Sequence, residues 1–171
     1  LPVGPTSFGD SPYQAFSAFA GNPYFIDLDT LADDGLLDRE ELESIDWGST
    51  EDDVDYAKLY NNRYRILKKA YLAFLGSSDQ RIADRREDFR QFRSRESDWL
   101  TDYSLFMSLK DRNDGRSWQE WDDDIRTRKP EAVDYYKSLL AEQIDFYSFI
   151  QFEFYREWTL LKRYANDHGI E

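Results

Sequence analysis

The run from Pro130 to Gly169 constrains the fold more than any other part of the chain. Val133, Tyr136, Leu140, Ile144, Tyr147, Gln151, Phe154, Trp158, Leu161 and Ala165 follow one another at steps of three and four. That spacing lays them along one face of an α-helix. Pro130 stands at a first-turn position, where its missing N–H costs nothing, and Gly169 closes the pattern. The pattern predicts a single long helix over about 130–168, roughly 55–60 Å in length at 1.5 Å per residue. Its centre, DFYSFIQFEFYREW, is apolar on most sides, so it must be buried on several faces. FIQFEF also alternates with the period of a strand, but the length and the helical flanks decide for helix.

Upstream, the same period recurs. Tyr60, Tyr64, Leu67, Tyr71 and Phe74 share one helical face, which Gly76 and Ser77 end. Ile82, Phe89, Phe92, Trp99, Tyr103 and Phe106 form another stripe, with SRES at 94–97 as the place for a break. Asp38 with Glu41, and Ser117 with Glu120, have the spacing of capping boxes. Asn113-Asp114-Gly115 reads as a turn. NPYFIDL at 22–28 reads as a short extended piece. The fold class expected is mainly α, with residues 1–28 as a loop and short extended segment and 29–171 as a helical subdomain.

Composition narrows function. Aromatics make up 17% of the 171 residues, too much ring for a disordered acidic chain. The formal net charge of −13, from 35 acids against 22 bases, repels phosphate and anionic lipid. No nucleic-acid partner and no membrane partner are therefore expected; a neutral sugar, peptide or protein face is compatible. The absence of cysteine excludes disulfides, thiolate metal sites and cysteine nucleophiles. It is also compatible with a cytoplasmic setting. No leader pattern or long apolar run supports secretion or a membrane span. Leu1-Pro2-Val3-Gly4-Pro5 and the stop just after Gly169 read as ends cut from something longer.

The chemistry-bearing residues are mostly explained by structure. DWGSTEDDVD and EWDDD are read as solvated acidic faces rather than metal sites. His168, the sole histidine, sits beside a helix-ending glycine, where a basic group meets the helix dipole. No phosphate-binding or dinucleotide fingerprint is present. Gln151, polar in an apolar stripe, is either a buried amide tying its helix to a neighbour or an amide near a ligand, and the first reading is favoured. Residues 4–28 break with the rest of the chain, since Asp10 and Asp27 are their only charges. Ser7, Phe8, Asp10, Ser11, Tyr13 and Gln14 have the vocabulary of a loop for a neutral sugar, and Tyr60 is the helix aromatic kept open for ring stacking.

LPVGPTSFGDSPYQAFSAFAGNPYFIDL closely resembles the amylomaltases, also called disproportionating enzymes or 4-alpha-glucanotransferases (glycoside hydrolase family 77). VDYAKLY, WLTDYSLFMSLK, RTRKPEAV and FIQFEFYREWTLLKRYANDHGI continue the resemblance in order along the whole chain. The resemblance implies the helical insertion of a (β/α)8 TIM-barrel glycosidase, between its second and third strands. It implies a cytoplasmic parent enzyme that transfers α-1,4-glucan segments by a retaining double displacement, without cofactor. The partners implied are maltooligosaccharides or starch-type glucans and the remainder of the barrel. The catalytic acids would lie beyond Glu171, so no catalytic residue is assigned here. GDSPY resembles the loop of the donor-glucose subsite, which points to Ser11 and Tyr13. An outer glucan contact would fall on Phe8 and Tyr60. Phe8 stands where some members carry Tyr: stacking survives, the hydroxyl does not. The alternative is a non-catalytic helical module that binds carbohydrate or protein.

Overall fold

Helix α8, Ala141–Asp167, is the post around which the other elements stand. In a computed structural model, which describes residues 3–6, 11, 13–48 and 53–170, every residue from Phe146 to Phe154 is buried. Packed against α8 are α3 (Tyr56–Gly76), α4 (Gln80–Arg95), α5 (Ser97–Arg112) and α7 (Pro130–Leu139). Short helices α1 (Leu28–Asp33), α2 (Arg39–Ser44) and α6 (Asp123–Arg126) fill the connections. The described residues are mainly helical and contain no strand, only an isolated antiparallel bridge between Thr6 and Ala15.

The local signals act as their chemistry requires. Asp38 accepts from the Glu41 N–H at 2.8 Å and starts α2. Asp55 accepts from the Lys58 N–H at 3.0 Å and starts α3. At the other end of α3, Arg86 donates to the carbonyls of Phe74 and Ser77, which have no acceptor role left within the helix. Asp114 and Gly115 take the left-handed backbone expected of the NDG turn.

Two expectations need correction. The helix predicted over about 130–168 is two helices, broken at Leu140, whose φ of −107° and ψ of 21° leave the helical region. The break turns Leu140 into a second apolar cluster with Leu105, Leu109, Trp121 and Ile125, away from the main core. No proline or glycine marks it in the sequence. NPYFIDL is not an extended piece either. Asn22 accepts from the Tyr24 N–H at 3.0 Å and Pro23 pre-sets φ, so Pro23–Phe25 close as a 3-10 turn. Extended backbone remains only at its flanks, Asn22, Ile26 and Asp27.

Among the polar side chains buried in the middle of α8, Gln151 and Glu153 tie the helix to its neighbours. Gln151 accepts from the Gly21 N–H at 2.7 Å and donates to the Gly21 carbonyl at 3.0 Å. This is the tying amide favoured from the sequence. Glu153, wholly buried, receives Arg85 of α4 through both carboxylate oxygens, and Arg156 at 3.1 Å. Asp34 accepts from the same two arginines. Burial lowers the Arg85 pKa, but Glu153 and Asp34 outweigh it, and the guanidinium ends above its ordinary value.

Removing one partner of a buried pair leaves the other charge unpaired. Glu153→Ala is therefore expected to cost about 3–5 kcal/mol in urea unfolding. Gly21→Ala is expected to cost about 1–3 kcal/mol or more by overpacking, because its Cβ would fall 2.0 Å from the Phe154 ring.

Candidate functional site

The N-terminal loop is pinned at its base. Phe16 N–H donates to Pro5 at 3.1 Å, and Asn22 N–H to Val3 at 2.8 Å. Gly4 lies so close to Ala15 that a Cβ there would sit 2.9 Å from that methyl group. At the tip, the Ser11 carbonyl accepts from the Gln14 N–H at 3.0 Å. The Ser11 hydroxyl accepts from the Tyr13 N–H at 3.4 Å. This turn holds Tyr13 outward, 76% exposed, while Ser11 is half-buried. Phe8 lies outside the described residues.

One wall of a groove of about 1500 Å³ is made by the base of that loop, through Pro5, Thr6, Ala15 and Phe16. Another part of the lining comes from α3. Tyr56, Tyr60 and Tyr64, each four residues apart, face the groove, and Trp118 and Tyr24 add further rings. Tyr60 is 58% exposed at the rim. Its ring meets Tyr64 edge-on at 5.6 Å, and Tyr64 meets Tyr147 at 6.3 Å. A ladder of rings thus descends from the rim to the floor. Ser11 and Tyr13 are not among the groove's lining residues, whereas Tyr60 is.

The floor is polar. Tyr147 donates to Asp111 Oδ2 at 2.6 Å. Burial pushes up the pKa of the Tyr64, Tyr103 and Tyr147 phenols, which therefore stay protonated. Burial also raises Asp111, against the pull of Tyr147 and Lys110. Asp111 is exposed to solvent and lines the groove. Lys110 is committed elsewhere, donating to Gly115 at 2.7 Å and lying 5.4 Å over the Phe16 ring. The sequence reading overlooked Asp111, Tyr56 and Trp118. The four-residue spacing of Tyr56, Tyr60 and Tyr64 was the available signal; nothing in sequence ties Asp111 to Tyr147, 36 residues on.

No group of three or more metal-ligating side chains occurs among the described residues. No described helix is long and apolar enough to cross a membrane. His168 turns Nδ1 to the Tyr164 carbonyl at 2.8 Å, the helix-end role its position implied.

Beside the 3-10 turn, Arg63 donates to the carbonyls of Pro23, Tyr24 and Ile26, and burial pulls its pKa down to about 10. Glu157 Oε2 accepts from the Asp27 N–H at 2.9 Å, while Oε1 is buried without a partner among the described residues. Burial raises the Glu157 pKa from 4.5 to about 7.

Comparison with known proteins agrees along the whole chain. The 4-alpha-glucanotransferase family model matches residues 1–171. A 4-alpha-glucanotransferase of Clostridium butyricum is 44% identical over 171 residues, covering 100% of this chain and 34% of that protein. The enzyme of the same name from Thermus thermophilus is 45% identical over 170 residues, covering 99% and 32%. A solved structure, the amylomaltase from Streptococcus agalactiae in complex with acarbose, aligns with a TM-score of 0.88 at 41% identity, over 99% of this chain and 33% of that one. The chain spans about a third of the length of the curated relatives it matches.

Glu157 sets a pH dependence. The folded state keeps its proton up to about pH 7, whereas the unfolded chain releases it near 4.5. Between these values folding takes up a proton, so stability falls as pH rises from about 4.5 to 7 and is flat above. Carboxylates held low by cations, such as Glu41 beside Lys69, act in the opposite sense below that window. Thermal unfolding from pH 4.5 to 8 should show this decline, and Glu157→Gln should flatten it and raise the midpoint at pH 8.

Proposed function

This chain belongs to the 4-alpha-glucanotransferase family, glycoside hydrolase family 77, and on that footing we propose that it is the sugar-binding loop and helical subdomain of an enzyme that transfers α-1,4-glucan segments between maltooligosaccharides or starch-type chains. The match along all 171 residues carries this reading. In the parent enzyme, a cytoplasmic (β/α)8 barrel without a resident cofactor, residues 1–28 leave the second strand and residues 29–171 form the helical subdomain.

The reaction is a retaining double displacement. A carboxylate nucleophile forms a glucosyl-enzyme and releases the leaving chain, to which a second carboxyl donates its proton. That second group then takes a proton from the acceptor sugar hydroxyl as it attacks. Both groups, and the third acid that helps hold the sugar, lie outside this chain. What these residues supply is binding. Ser11 hydrogen-bonds and Tyr13 packs on the donor glucose; the exposure of Tyr13 on a turn with a pinned base supports that role. Tyr60, together with Phe8, stacks on a glucan outside the cleft. The aromatic groove below Tyr60 supports this second contact.

Purified as 171 residues, the chain should release neither glucose nor longer glucans from maltotriose, as read by chromatography. Formation of both products would place a complete site within these residues and overturn the assignment. Tyr60→Ala should weaken maltopentaose binding about threefold to tenfold, the loss of one ring's stacking. Tyr13→Ala should instead lower transfer in the parent enzyme.

A further inference from the structure

The Tyr60–Tyr64–Tyr147 ladder ends on one carboxylate with one oxygen committed. Asp111 Oδ2 is held by the Tyr147 hydroxyl at 2.6 Å, while Oδ1 has no hydrogen-bond partner among the described residues. The neighbouring cation that could neutralise it, Lys110, is turned to Gly115 and Phe16. The Tyr103 hydroxyl, buried without a partner among the described residues, lies within electrostatic reach of the same carboxylate. Asp114, which also lines the groove, adds a second negative charge.

We propose that Asp111, oriented by Tyr147, is the polar anchor of this groove and takes the hydroxyls of a neutral α-glucan ring stacked above it. The inference rests on the glucan reading of the groove but assigns the anchor independently of Tyr60. Its chemistry is that of a small number of oriented polar groups in a mainly aromatic pocket. An ionised carboxylate with a free oxygen accepts hydroxyl protons strongly, and no aromatic face can substitute for that. The Tyr147 hydroxyl fixes the carboxylate in advance, so less freedom is lost when sugar arrives. Asp111 and Asp114 outnumber Lys110, the one cation among the groove's described lining residues, so the groove disfavours phosphorylated glucans and selects neutral ones.

Trp118 lines the same groove and reports on it. Maltopentaose is titrated into the 171-residue chain, and the fluorescence change lost in Trp118→Phe is taken as the groove signal. Asp111→Asn, which keeps an acceptor for Tyr147, should bind about tenfold more weakly, the loss of a charge-assisted hydrogen bond. Tyr147→Phe, which leaves the carboxylate but frees it to swing, should bind about threefold more weakly. Thermal midpoints establish that each variant is folded, and Tyr147→Phe carries the test should Asp111→Asn unfold. A wild-type signal with unchanged affinity in both variants overturns the anchor and leaves the groove reading standing. No Trp118-dependent signal in the wild type overturns both.

Discussion

The ion pair between Glu153 and Arg85 fixes how this molecule is assembled. A carboxylate with no solvent exposure at the centre of the most apolar helix must be matched by a cation, or the helix cannot be buried there. Arg85 supplies that cation from α4, 68 residues away, and Asp34 and Arg156 complete the circle from the end of α1 and from α8. Apolar packing alone would let α8 rotate or slide against its neighbours, since one phenylalanine can replace another. A bidentate pair admits one register. Once that register is set, Phe149 falls against Phe74 and Phe89, and Phe152 against Phe92.

The same helix positions the loop. Gln151 lies two residues from Glu153, and both hydrogen bonds of its amide go to the backbone of Gly21. Tyr155, one turn further, donates to the Phe19 carbonyl. The segment that carries Ser11 and Tyr13 is thus referenced to the core through backbone groups, independent of the side chains it displays. Gly21 is required because the approach to Phe154 leaves no room for a methyl group.

Much of this was legible in the chain. The helical period of α3, the cap at Asp38, the break near SRES and the turn at Asn113 all rest on local chemistry, which sequence carries. What escaped depends on distant partners. Leu140 looks like one more member of a continuous stripe; the cluster that draws it aside comes from α5 and α6. Glu153 looks like a surface acid within FIQFEF until Arg85 is known to face it. NPYFIDL has strand-like residues, but the Asn22 cap and Pro23 closed a 3-10 turn that the sequence reading passed over. The groove divides in the same way. Tyr60 and Tyr64 were visible by spacing, whereas Asp111 gains its meaning only from Tyr147.

One helical stripe therefore serves two purposes along its length. In α3, Leu67, Tyr71 and Phe74 are buried in the core, while the half-buried Tyr64 and the exposed Tyr60 and Tyr56 face the groove. The residues that anchor the helix and those that face a ligand are continuous, so the rim inherits the rigidity of the core. A ring on a mobile loop would lose orientational freedom on binding; a ring on a helix whose next turn is packed has already lost it. The core therefore contributes to binding by fixing the angle at which its exposed rings meet a sugar.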